Sequence, residues 1–108
     1  MINSFVLACK IEGEVRIIET KSGKPMVVFN CCAEYDKGGG YTGKSEHKCK
    51  AFGHVAESLL EAGLREGSAL VLQGAIETDE FQGKNGPAKS NNFVVSGFET
   101  LADDGIPF

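Results

Sequence analysis

The chain has 108 residues, 42% of them hydrophobic, which fits one domain with a core of its own and excludes two full-sized ones. No apolar run approaches the roughly 20 residues of a membrane-spanning helix. The net charge is −4, yet all 11 Lys and Arg lie at or before Lys89, and three of the acids (Glu99, Asp103, Asp104) fall in the last ten residues; the body is therefore near neutral, with 12 acids against 11 bases.

The start, Met1-Ile2-Asn3-Ser4-Phe5-Val6-Leu7, lacks the basic opening and small-residue cleavage site of a secretory signal, so a cytoplasmic protein with no membrane partner is expected. Phe5 to Cys9 reads as a strand, continued by Glu14 to Glu19, with Gly13 marking a bulge or bend. Lys21-Ser22-Gly23-Lys24-Pro25 is a turn. Met26 to Ala33 is a second strand, apolar on both faces and so suited to a central place. Asp36 to Lys44, with Gly38-Gly39-Gly40 inside it, reads as a flexible loop. The third strand, His47 to Phe52, alternates: Lys48, Lys50 and Phe52 fall on one face, Cys49 and Ala51 on the other.

Gly53 ends that strand. His54 to Leu64 has helical spacing, with Val55, Ala56, Leu59, Leu60 and Leu64 in one stripe and Glu57 and Glu61 towards solvent. A fourth strand runs from Ser68 to Thr78 and on to Phe81. Gln82 to Lys89 reads as a second polar, basic loop, and Asn92 to Glu99 as the fifth strand. The expected fold is all-β with one helix: a five-stranded OB-fold barrel with the helix between strands three and four. Residues 1–101 would form this domain and residues 102–108 a separate tip.

No catalytic set stands out. The chain has no Ser-His-Asp signature, no GxxxxGK phosphate loop and no HExxH, so no enzyme and no cofactor are expected. Cys31, Cys32, His47 and Cys49 could meet on neighbouring strands, but without a CxxC pair they read as buried thiols and not as a metal site. Adjacent Cys31 and Cys32 should point to opposite faces.

Binding features are richer. A protein that grips single strands needs aromatic faces for bases and cations for phosphates. Tyr35, Tyr41, Phe52 and Phe81 lie beside polar or basic stretches, flanked by Lys37, Lys44, Lys48, Lys50, Lys84 and Lys89, whereas Phe5, Phe29 and Phe93 sit in apolar strands and read as core. At the end of the chain, Asp103-Asp104-Gly105-Ile106-Pro107-Phe108 combines acids with exposed Ile and Phe. The acids and a terminal carboxylate suit a basic pocket, Phe108 suits an apolar one, and Pro107 limits the freedom lost on docking.

These stretches together resemble the bacterial-type single-stranded DNA-binding proteins. Glu14-Val15-Arg16 and the Gly23-Lys24-Pro25 turn match the family's first hairpin. His47 through Ala51-Phe52-Gly53 and the helix to Leu64 match its middle, and Gly67-Ser68 to Gly74, then Phe81, its fourth strand. The tip is similar to Asp-Asp-Asp-Ile-Pro-Phe, with Gly105 replacing one Asp. The resemblance implies base stacking on Tyr35, Phe52 and Phe81, phosphate contacts at Arg16 and Lys48, and a subunit-interface role for His47. It also implies a nucleoid-associated homo-oligomer, a tetramer or a dimer, that protects single-stranded DNA in replication, recombination and repair while the tip docks enzymes of those processes. Where the family commonly has Trp this chain has Glu46, and where it often has bases it has Glu77, Asp79 and Glu80; both departures predict weaker DNA affinity. They also keep open a second reading, an OB-fold protein-interaction adaptor with little DNA binding. The family's long linker is missing, as in a small phage or plasmid version or a sequence from which the linker has been cut. At roughly 3.3–3.6 Å per residue, the tip's acids are expected to reach the domain's own DNA face.

Overall fold

The computed structural model describes residues 3–101. The order of elements is β1 (Phe5–Glu19), β2 (Pro25–Gly38), β3 (Tyr41–Phe52), α1 (Gly53–Glu61), β4 (Ala69–Gly83) and β5 (Gly86–Thr100). The strands close into a barrel in the order β1-β2-β3-β5-β4. Four of the five seams are antiparallel. The fifth is parallel and short, pairing Cys49 with Phe93 and Lys50 with Val94, and it is this seam that turns the sheet into a ring.

Strict alternation builds the core. Cys9 and Ile11 of β1, Val27, Phe29, Cys31 and Ala33 of β2, Cys49 and Ala51 of β3, and Leu70 and Leu72 of β4 all point inward and are buried. Phe5, Val15 and Phe93 pack against them, with the Phe5 and Phe93 rings 4.7 Å apart. α1 adds Ala56 and Leu59 to this core beside β2, β3 and β5. Its first residue is Gly53 and it stops at Glu61, three residues before the expected Leu64, because Gly63 takes a positive φ and its N–H closes back on Leu60.

Gly13 bends β1 at a positive φ of 72°, where the register with β2 shifts between Glu12 and Arg16; this is the expected bulge. Asn3 prolongs the β1–β4 ladder with its side chain, which donates to the Ile76 carbonyl and accepts from the Ile76 N–H.

The two expected loops are corrected. Asp36 to Lys44 is mostly strand: β2 and β3 run on to a tight turn at Gly38-Gly39-Gly40, all at positive φ. Gln82 to Lys89 is likewise mostly strand, closing at Lys84-Asn85. Both hairpins extend past the barrel, and the radius of gyration is 15.0 Å against about 13 Å for a compact chain of this size.

Cys31 and Cys32 do face opposite ways: Cys31 is buried, its sulfur 3.5 Å from that of Cys49, and Cys32 is half-exposed. The neighbouring Cys31 sulfur and burial push the Cys9 and Cys49 thiols far above the usual range, and the same neighbours draw Cys31 the other way. Among the described residues no group of His, Cys, Asp and Glu is arranged to hold a metal ion, and no helix is long and apolar enough to cross a membrane.

Candidate nucleic-acid interface

Residues paired directly across neighbouring strands share a face of the sheet. The registers therefore define rows over the outside of the barrel. Ile18, Met26 and Phe52 make one row. Arg16, Val28 and Lys50 make the next, continued across the parallel seam by Val94 and across β4 by Ala75. Glu12, Asn30 and Lys48 follow, then Lys10, Cys32 and Glu46, and finally Glu34 with Lys44. One side of the barrel thus presents Arg16 and Lys50 beside an apolar strip ending in Phe52, which is 44% exposed, with Lys48, Lys10 and Lys44 farther along it among Glu12, Glu46 and Glu34.

β4 contributes to the same side. Glu77, Asp79 and Phe81 alternate on its outward face, opposite the inward row of Leu70 and Leu72. The Lys50 ammonium reaches Glu77 Oε1 at 3.2 Å and Asp79 Oδ2 at 3.3 Å, which fixes that face as the one Lys50 looks along. Phe81, 52% exposed, continues it along the β4–β5 hairpin. Both Phe52 and Phe81 are therefore surface rings.

Other expected residues lie elsewhere. Tyr35, 50% exposed, shares the pleat of Phe29, Cys31 and Ala33, not that of Phe52. Its ring crosses Gly43 on β3, where an added Cβ would stand 2.5 Å from Tyr35 Cζ and 2.6 Å from Lys37 Cε. Tyr35 and Lys37 thus form their own aromatic–cation group on the opposite face of the β2–β3 hairpin. Lys89 pairs in register with Glu80, on the face of the β4–β5 hairpin away from Phe81, with its ammonium 3.7 Å from Glu80 Oε1. Lys84 sits at the tip of that hairpin. His47 lies on the inward pleat at the barrel end, stacked on Phe93 with 4.4 Å between centroids and its Nε2 2.9 Å from Ser45 Oγ. The tip Asp103, Asp104, Gly105, Ile106, Pro107 and Phe108 lies outside the described residues.

The model of the single-strand binding protein family matches residues 2–100. The chain belongs to that family. It is accordingly a binder of single-stranded DNA and not an enzyme. Among solved structures, the chain is similar to one described as "Plasmodium falciparum SSB complex with ssDNA", with a TM-score of 0.82 at 16% identity over 94% of this chain and 96% of that one. At that identity the likeness speaks for the fold, the expected OB-type barrel. No curated protein sequence matches significantly.

In this single-strand binding protein the electrostatics centre on Lys50. Partial burial acts against its ammonium, but the Glu77 and Asp79 carboxylates outweigh that and raise its pKa above the ordinary lysine value. In return the Lys50 ammonium holds the Asp79 carboxyl below the usual carboxylate range, and the Asn92 amide adds to the shift. Asn92, the one buried polar residue among those described, donates to Asp79 and to Ser90. The Lys50 ammonium also lies 5.8 Å from the centroid of the Phe52 ring. Reading the sequence by charge alone missed that Glu77 and Asp79 sit on Lys50. The usable signal was their alternation with Phe81, which puts all three on one face.

Proposed function

We propose that this chain coats and protects single-stranded DNA along the outer face of β1, β2, β3 and β4. Bases stack on Phe52 and Phe81, and phosphates meet Arg16, Lys44, Lys48 and Lys50. Tyr35 and Lys37 take up the strand on the far pleat of the β2–β3 hairpin, and Lys84 and Lys89 meet it at the β4–β5 hairpin. The observation that carries this reading is the adjacency of the row Arg16–Val28–Lys50 to the row Ile18–Met26–Phe52, cations beside an apolar strip that ends in an exposed aromatic ring, in a chain of this family. A single strand offers bases and phosphates at that spacing; a duplex hides its base faces.

The same reading assigns the chain to replication, recombination and repair, with Asp103 to Phe108 as the segment on which partner enzymes dock. Residues 1–101 are then the binding domain and 102–108 the docking tip. It also assigns a homo-oligomer, a tetramer first and a dimer second, with His47 near the contact.

The test is titration of a labelled oligo-dT against a duplex of equal length, over a salt series, with the full chain and a chain ending at Ala102. Tight, salt-sensitive binding confined to the single strand is expected from both chains, with capture of partner enzymes by the full chain alone. Equal affinity for duplex refutes the stacking interface, and capture that survives the truncation refutes the docking tip.

A further inference from the structure

Lys50 is held unlike the other cations of the face. Its side chain is 18% exposed and faces two carboxylates from another strand, so the cluster is anionic overall. Asp79 is fixed in place by Asn92, which is itself buried. The ammonium also borders the exposed ring of Phe52. A base stacked on that ring brings its own phosphate to Lys50, where the two carboxylates already stand. We propose that Glu77 and Asp79 occupy the phosphate position on Lys50, so that single-strand binding exchanges an internal carboxylate pair for a phosphate and affinity is set below what the rings and cations would otherwise give.

This rests on the interface assigned above. It differs from the alternative that the same contacts invite, in which Lys50 only ties the β4–β5 hairpin to β3. The parallel seam between β3 and β5 is two residue pairs long, so a tie there would matter to the placement of Phe81. The two readings give opposite signs. If the carboxylates stand in for phosphate, neutralising them strengthens binding. If they are a tie, neutralising them loosens the hairpin and weakens it.

The experiment measures oligo-dT affinity across a salt series for the full chain, Glu77→Gln/Asp79→Asn, Lys50→Gln, the triple variant, and Glu57→Gln/Glu61→Gln on the solvent side of α1 as a charge-matched comparison. Each phosphate neutralised on a single strand adds about 0.7 to the slope of log K against log salt, which at 0.1 M corresponds to about fivefold in affinity. The β4 double variant is expected to bind about fivefold tighter with a slope steeper by about 0.7. In the Lys50→Gln background that gain should shrink to the level of the α1 comparison. Weaker binding by a double variant that melts like the parent overturns the proposal in favour of the tie, and unchanged binding overturns both. A gain that persists without Lys50 overturns it in favour of general charge repulsion. Should the double variant melt early, Glu77→Gln alone carries the test, since it leaves the Asp79–Asn92 contact intact: tighter binding supports the exchange and looser binding overturns it. Failure of every variant, the full chain included, to bind single strands would instead strike the interface itself.

Discussion

Phe52→Ala and Phe81→Ala separate a stacking surface from a core. The two rings are 44% and 52% exposed, so each contributes about half of the burial available to a fully enclosed side chain. Full burial of a Phe stabilises by about 1.5–3 kcal/mol, so each truncation should lower stability by about 1 kcal/mol. For a domain of this size that is a fall in Tm of about 4–8 °C. A base lost from a ring weakens binding by about 1–3 kcal/mol, which is about 5- to 150-fold in Kd. The affinity loss should therefore equal or exceed the stability loss, and if the rings hold different bases the two affinity losses should add in the double variant. Thermal melting followed by circular dichroism and oligo-dT anisotropy on the same preparations measure both. A loss of stability of the size seen for a core Phe, about 3–5 kcal/mol, with affinity unchanged in the folded fraction, would refute the assignment.

Three further outcomes are expected. Gly74→Ala should destabilise by about 3 kcal/mol or more, because the new Cβ would lie 1.8 Å from the Val94 carbonyl oxygen and backbone cannot swing aside; a parent-like melt would contradict that approach. Gly43→Ala should leave the melt within about 1 kcal/mol of the parent, since its Cβ meets the movable ends of Tyr35 and Lys37, yet weaken oligo-dT binding about fivefold by displacing the ring; unchanged affinity removes Tyr35 from the interface. For pH, the Asp79 carboxyl is held down by Lys50, so its contribution is complete above the ordinary carboxylate value of about 4 and is lost as pH falls through the lower folded value. The Lys50 pKa is raised, so its contribution is complete below about 10 and is lost above. The stability difference between parent and Asp79→Asn should therefore be flat from about pH 5 to 9 and shrink on acidification; a step near neutrality would show another group at work.

The sequence was most readable where one face of an element is buried. The alternation of Lys48, Cys49, Lys50, Ala51 and Phe52 predicted which side chains of β3 point outward, because a period of two cannot bury one set without exposing the other. The hairpin ends escaped the same reading. Asp36 to Lys44 and Gln82 to Lys89 are strand, but both of their faces meet solvent, so no apolar period marks them, and glycine and charge made them look like loops. Helix α1 was found by its stripe, while its end was overrun, since Leu64 still packs on the core after the helix has stopped.

By itself the sequence determined the element order, the barrel class and the inward and outward sets of β3, since these follow from local periodicity and turn chemistry. Only the tertiary structure decided which outward sets became neighbours. Arg16 meets the row of Lys50 through the register set by the Gly13 bulge. Tyr35 falls on the pleat opposite Phe52. Lys50 finds Glu77 and Asp79, 27 and 29 positions away, because ring closure brings β4 and β5 to β3. Contacts across a closed seam depend on register and curvature of all five strands together, and no window of the sequence contains them.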